Sequence, residues 1–218
     1  MDNAVGSLEL PKILCARKNL SLSLTEAQKD ILIGCILGDA HITPLGKVNI
    51  EQSAKQKEYL MWKYAELKNL AYPAMPREII RKDLRNGKEY HSFVFYLRQY
   101  FRPWRNIFYS GNKKIFPDKI CLTPLSLAIW YMDDGSWSDK RCIISTESFS
   151  EDSRRRIQEM LYRQFSLETV IRSNKKLLIR QNSVNKFYKL INPYIIPSMK
   201  YKVPNPVTTF SHRERSKV

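Results

Sequence analysis

Histidine and glycine are scarce in this chain, and what is missing narrows its chemistry before any motif is considered. Three histidines and four cysteines, the latter at positions 15, 35, 121 and 142 with no CxxC pair, suggest neither a zinc site nor a disulfide framework; the cysteines read as reduced, small core residues. Seven glycines form no Gly-rich phosphate loop and no GxSxG occurs, so carboxylates and lysines remain as the groups able to do chemistry. The longest apolar run, Ile31 to Leu37, is too short to span a bilayer, and the start shows no charged-then-apolar signal, so a soluble, non-secreted protein is expected. Acids are in deficit, 21 against 37 lysines and arginines. The formal charge of +16 and pI near 9.7 exceed what solubility requires and point to a polyanionic partner, nucleic acid before an anionic membrane surface. An apolar content of 43% over 218 residues suffices for one large domain or two small ones sharing a core.

What is present is a repeat. Thr25 opens a capping box with Gln28, followed by the apolar stretch Ile31 to Leu37 and then Gly38-Asp39-Ala40, the pattern of a capped helix that ends in an acid. Thr123 before Pro124 is an N-cap with proline at the first helical position, and Leu125 to Met132 is a second apolar helix, ending Asp133-Asp134-Gly135. Gln52-Ser53 lies thirteen residues after Asp39, and Glu147-Ser148 thirteen after Asp134. Each pair leads into an amphipathic helix, Lys55 to Leu70 and Glu151 to Phe165, the second capped by Ser150. Hairpins fit between acid and polar pair: Ile42 to Ile50 turns at Pro44 and Gly46, and Ser136 to Thr146 at Asp139-Lys140-Arg141. Further strand pairs turn at Arg85-Asn86-Gly87-Lys88 and, within Thr169 to Gln181, at Asn174-Lys175. Each half closes with an aromatic helix, Tyr100 to Tyr109 or Val184 to Ile191, and a lysine before a proline, Lys114 with Pro117 and Lys202 with Pro204. The predicted order in each half is helix, two strands, helix, two strands, helix, an α+β fold.

Two such helices packed side by side bring Asp39 and Asp134 together at one end, where the helix C-termini add partial negative charge and a hard divalent cation is favoured. Gly34 and Gly38, four apart, let the partner helix approach closely. A lone aspartate after a helix is ordinarily a solvated loop residue; two at matching repeat positions reverse those odds. Strand alternation places Arg77, Arg81 and Arg85 on one face, joined beyond the turn by Lys88, Tyr90 and Ser92. Such a ribbon fits the DNA major groove, where arginine reads guanine bidentately. Lys47 and Asn49 in the first hairpin, and Arg172 and Arg180 in the second half, complete the candidate DNA contacts. For any one of these residues a solvated strand face is an equal reading, so the expectation attaches to the surface as a whole.

Leu32 to Ala40 (LIGCILGDA) and Leu127 to Gly135 (LAIWYMDDG) resemble two copies of the LAGLIDADG motif. Asn112 to Pro117, Leu122-Thr123-Pro124, Asn192 to Pro197 and Tyr201-Lys202-Val203-Pro204 resemble the tails of each half in monomeric intron-encoded members of that homing endonuclease family, and the likeness runs over residues 25 to 205. The resemblance implies two pseudo-symmetric αββαββα subdomains, 25–118 and 119–205, with the motif helices packed centrally and a DNA-binding β-saddle that holds a long, asymmetric double-stranded site while both strands are cut. It also implies that Asp39 and Asp134 bind Mg2+, with Ca2+ or Mn2+ able to substitute for binding, beside the neighbouring metal positions Gly38 and Asp133. Lys114 and Lys202 match the family's active-site lysines, which neutralise developing charge or tune the attacking water. Gln52 falls where members carry a water-ordering glutamine, and Glu147 is expected in the equivalent slot. There are departures: Ile33 replaces the motif's alanine, Ile129 replaces its first glycine, and Asp133 precedes the catalytic acid as a rival to Asp134. Unequal cleavage centres are therefore expected.

Two rivals share the fold and charge. A maturase assisting intron RNA folding predicts decay of the acids or lysines, whereas both pairs stand here. A non-catalytic DNA-binding regulator has no use for paired acids among phosphates, which they repel unless a metal intervenes. A membrane role is not expected, because the basic residues fall on strands rather than on one helix face. The expected protein is thus a monomer that partners DNA, with intron RNA as the alternative, and family habit suggests an organelle. Residues 1–24 are an extension without a reading of its own, and 206–218 a basic tail, flexible from Ser211 to Val218.

Overall fold

The computed structural model describes residues 8–17 and 20–204, and it begins with strands where the sequence offers no reading. Strands β1 (Ile13–Arg17) and β2 (Leu20–Ser23) pair as an antiparallel hairpin. Leu10, Leu14 and Leu24 are buried, and the Trp104 indole donates to the Pro11 carbonyl at 3.0 Å. The described part of the extension therefore belongs to the core, while the expected tail at 206–218 lies outside the described residues.

Helix α1 (Glu26–Leu37) starts at the expected capping box: Thr25 Oγ1 accepts from the Gln28 amide at 3.1 Å, and the Gln28 side chain accepts from the Thr25 amide at 3.2 Å. Strands β3 (His41–Ile42) and β4 (Val48–Ser53) turn through Gly46, whose φ of 83° is open to glycine. Helix α2 (Lys57–Leu67) is flanked by single 3-10 turns at Ala54–Gln56 and Lys68–Leu70, so the expected helix is present with tightened ends. Strands β5 (Arg77–Lys82) and β6 (Glu89–Leu97) follow, then α3 (Arg102–Phe108) and the small hairpin of β7 (Tyr109–Ser110) and β8 (Lys113–Lys114).

The second half repeats the order. Helix α4 (Pro124–Asp134) is capped reciprocally by Thr123 and Ser126. Strands β9 (Gly135–Ser138) and β10 (Arg141–Ile144) turn through Asp139 and Lys140, both at positive φ, as a two-residue hairpin of the favoured hand requires. Helix α5 (Glu151–Phe165), strands β11 (Thr169–Ile171) and β12 (Leu177–Ile179), and helix α6 (Gln181–Ile191) complete it. The chain is an α+β protein with the order αββαββα twice over, and each half owns a four-stranded antiparallel sheet, β3-β4-β6-β5 and β11-β12-β10-β9. No helix among the described residues is long and apolar enough to cross a membrane.

At the centre α1 packs along α4. Both are enclosed on all sides: every residue from Ile31 to Leu37 and from Ser126 to Asp133 is buried. A Cβ on Gly34 would lie 2.5 Å from Ile129 Cβ and 2.6 Å from the Ser126 carbonyl oxygen, and one on Gly38 would lie 2.5 Å from Asp133 Cβ. The bulk that Ile129 adds to the second motif is thus received by a glycine on the first. Gly34→Ala is expected to lose about 1–3 kcal/mol through overpacking, read as a lower urea midpoint at unchanged slope; an unmoved midpoint would mean the helices separate at no cost.

Candidate active site

The ends of α1 and α4 meet, and both motif acids stand there. Asp39, just past the helix, is exposed; Asp134, the last residue of its helix, is half-buried. Gln52 on β4 donates through Nε2 to Asp39 Oδ2 at 2.9 Å and to Asp133 Oδ1 at 3.2 Å. Lys114 on β8 donates to the carbonyls of Gly38 and Ala40 at 2.6 and 3.3 Å, and Lys202, in the 3-10 turn Pro197–Lys202, donates to those of Met132 and Asp133 at 2.5 and 2.9 Å. Each motif helix therefore ends in an aspartate and is capped by a lysine of its own half, where an ammonium meets the negative end of the helix dipole.

Burial pushes the Asp134 carboxyl up to about 7, helped by the negative charges of Asp39 and Asp133. Burial also holds the Lys114 and Lys202 ammoniums below their ordinary values, against the pull of the nearby acids. A carboxylate whose ionisation is opposed by burial and by neighbouring acids is the setting a divalent cation relieves. Among the described residues no three His, Cys, Asp or Glu side chains gather into a metal cage. The donor set is instead the Asp39 and Asp134 carboxylates with the Gly38 and Asp133 carbonyls, each of which keeps a second lone pair beside its lysine. That set fits Mg2+, which takes one or two protein carboxylates and completes its shell with water and phosphate oxygens.

Two sequence expectations need correction. The Asp133 carboxylate is no rival to Asp134 for a metal, because it is fully buried and engaged: Oδ1 accepts from Lys63 at 2.6 Å and from Gln52, and Oδ2 from the Asp39 amide at 3.3 Å. Of the expected metal position at Asp133, only the carbonyl is open to a cation. Lys63, on α2 of the first half, is equally buried and lies over the Tyr59 ring at 4.2 Å. Burial is the largest influence and works against its charge, but Asp133, with Cys35 and Asp39 behind it, holds the ammonium above its ordinary value, so the two halves are joined by an enclosed ion pair. The second correction concerns Glu147. Asn49 pairs with His41, two residues past Asp39, whereas Ile144 pairs with Gly135, one residue past Asp134. The thirteen-residue match is therefore one out of register, and Thr146 rather than Glu147 takes the place of Gln52. Thr146 is buried and donates to the Lys175 carbonyl at 2.6 Å, while Glu147 faces Lys176 at the surface.

Paired residues share a face of an antiparallel sheet, so the register puts Arg77, Arg81, Tyr90 and Ser92 together as expected, with Asn49 on the same side. Lys47 lies over the Tyr96 ring at 4.5 Å beside them. Arg85 and Lys88 sit at the exposed turn, Arg85 paired with Asp83. An acid with no signal in the strand alternation stands in this basic face: Glu51 is gripped by both terminal nitrogens of Arg81 and by Ser92 Oγ at 2.6 Å. Arg172 and Arg180 are exposed at opposite ends of the β11–β12 pair, Arg172 bonded through its amide to the Lys176 carbonyl and Arg180 to that of Glu168.

Comparison with known proteins matches residues 29–187 to the model of the LAGLIDADG DNA endonuclease family. Among curated relatives, Protein RecA of Mycobacterium shimoidei is 29% identical over 220 residues, covering 88% of this chain and 49% of the relative. Cytochrome b mRNA maturase bI2 of Saccharomyces cerevisiae is 31% identical over 205 residues, covering 80% and 47%. The chain thus spans about half the length of these relatives. It spans nearly all of DNA endonuclease I-ChuI of Chlamydomonas applanata, at 30% identity over 210 residues, 84% of this chain and 96% of that one. A solved structure of the homing endonuclease I-WcaI bound to its DNA recognition sequence superposes with a TM-score of 0.73 and 26% identity, covering 87% of this chain and 90% of that chain.

Lys63→Met leaves the Asp133 carboxylate enclosed without its cation and is expected to cost about 3–5 kcal/mol in urea unfolding, most of it recovered when Asp133→Asn is added; additive losses would show that the two do not act as a pair. The raised Asp134 carboxyl gives a second expectation. Its stabilising contribution is fully present below about pH 4, is lost as pH rises to about 7, and is flat beyond. In metal-free thermal unfolding Asp134→Asn should gain on the wild type progressively across that window; parallel curves would mean that Asp134 ionises like a surface carboxyl.

Proposed function

Since the chain belongs to the LAGLIDADG DNA endonuclease family, we propose that it cuts both strands of a long, asymmetric DNA site by divalent-metal-dependent hydrolysis, one phosphodiester at each of two centres. The observation that carries this reading is the meeting of Asp39 and Asp134 at the ends of two packed helices, each with a lysine from its own half on the adjoining carbonyls. One chain supplies both acids and both lysines, so a monomer suffices.

Asp39 and Asp134, with the carbonyls of Gly38 and Asp133, would hold Mg2+, which when bound activates water and offsets charge on the leaving oxygen. The chain's own groups do the rest. Gln52 orients Asp39 through its 2.9 Å bond and keeps that amide at the first centre for ordering water. Lys114 and Lys202, with their ammoniums already eased toward deprotonation by burial, offset the negative charge on the non-bridging oxygens as the water oxygen bonds to phosphorus and the bridging P–O bond breaks. The second centre has no amide in Gln52's place, since Thr146 is turned to Lys175, so the two strands are cut at unequal rates. Both sheets would lie along the duplex, supported by the likeness to a structure bound to its DNA recognition sequence.

A second reading has its own support in the likeness to a cytochrome b mRNA maturase: the same basic surface would assist intron RNA folding, alone or beside cleavage. That relative's name also supports an organellar location. Cleavage of sites selected from a randomised duplex library in magnesium separates the readings. Asp39→Asn and Asp134→Asn are each expected to lower double-strand cutting on the order of a thousandfold while binding in calcium persists; sequence-specific binding without cutting by the wild type would leave the maturase reading in possession.

A further inference from the structure

The two sheets turn different chemistry outward. In the second half Val170 pairs with Leu178, Leu178 with Ile143, and Ile143 with Ser136, so the four form one row across the sheet. The next row, Ile171, Leu177 and Ile144, faces the other way, and Leu177 and Ile144 are sealed beneath the helices. Val170, Leu178 and Ile143 are each only half-buried, on the open side. Strand alternation puts Arg172 and Lys176 on that side at one end of the row, and Arg141 and Arg180 at the other, all but Lys176 exposed. Three aliphatic side chains thus cross the open face between two sets of bases.

The first sheet shows nothing of the kind. Its open face carries Arg77, Arg81, Glu51, Ser92, Asn49 and Tyr90; of its two aliphatics at register-paired positions, Val94 is buried between Arg77 and Glu51 and only Ile79 is half-exposed. Laid in a major groove, such a face reads bases by hydrogen bonds. The aliphatic row cannot, and the one apolar group on the groove's base edges is the C5-methyl of thymine. Arg172 at one end and Arg141 and Arg180 at the other suit the phosphate backbones on either side of the groove, while Lys176 is held by Glu147.

We propose that the second sheet selects thymine methyl groups, contacted by Ile143, Leu178 and Val170, while the first selects its bases by hydrogen bonding. This rests on the proposed reading as a DNA endonuclease and specifies the composition of one half of its site. It also favours DNA over RNA at that half, because uracil lacks the methyl.

The test uses the full chain and duplexes selected from a randomised library in calcium. Arg81→Ala shifts the selected bases on the first sheet's side alone and so identifies the halves. Each selected duplex is remade with deoxyuridine for thymine, which deletes only the methyl, in one half and then in the other. In competition binding the exchange should weaken affinity roughly threefold per contacted thymine in the second sheet's half, and less than about twofold in all elsewhere. Ile143→Ser with Leu178→Ser should erase the difference. A second half selected without thymine, or an exchange tolerated alike in both halves while tight specific binding persists, overturns the inference and leaves the endonuclease reading standing. A wild-type chain that binds no duplex sequence-specifically overturns both.

Discussion

Ile129 Cβ stands 2.5 Å from where a side chain on Gly34 would begin, and that contact sets how closely the two motif helices can run. Everything at the site inherits the spacing. The helices end together, so Asp39 and Asp134 share a field, and the Asp39 amide reaches the Asp133 carboxylate across the interface. A wider crossing would separate the acids and solvate Asp134, removing the causes that raise its carboxyl. The motif is therefore a packing device as well as a carrier of acids: its small residues let those acids be neighbours.

Three carboxylates at one point would repel both each other and the phosphates of a nucleic acid. The site answers with three lysines, each given a different task. Lys63 is wholly enclosed and neutralises Asp133, leaving Asp39 and Asp134 as the acids with access to solvent. Lys114 and Lys202 neutralise helix ends rather than carboxylates, which keeps their ammoniums near the acids without closing them off. The Lys63–Asp133 pair also fixes the halves relative to each other, since one partner sits on α2 of the first and the other on α4 of the second. An enclosed pair of this kind adds little net stability over apolar packing, but it penalises any register in which either charge loses its partner.

Much of this was legible in the residues, and what was not has identifiable causes. Caps read true because they are local: Thr25 with Gln28, Thr123 before Pro124 and Ser150 each satisfy backbone groups within their own turn. The Glu147 slot is not filled as chain distance suggests, because strand register rather than residue count sets the place. A two-residue turn at Asp139 and Lys140 replaces the longer turn around Gly46, and a one-residue difference sends the side chain to the other face. Lys63 had a readable signal. In α2 the buried positions Tyr59, Leu60, Lys63, Tyr64 and Leu67 follow helical spacing, so a lysine stands inside an apolar stripe and needs an enclosed acid; the unexplained extra acid was Asp133. The hairpin before α1 carried no such signal, because the Trp104 indole that holds the Pro11 carbonyl at its start lies far along the chain.

The two halves share a plan yet differ in nearly every functional detail outside the motif. Only the helix interface demands likeness, since each motif must present an acid at the same level and accept its partner's bulk. Gly34 facing Ile129 shows that even this demand is met by complementarity rather than identity. The sheets are under no mutual constraint. With both halves on one chain, a substitution in β10 need not be repeated in β4, so a polar face centred on Arg81 and Glu51 can stand beside one crossed by Ile143 and Leu178. A two-fold dimer of identical halves would have to read a palindrome. Two halves on one chain carry no such requirement, and the differing faces of the two sheets use that freedom.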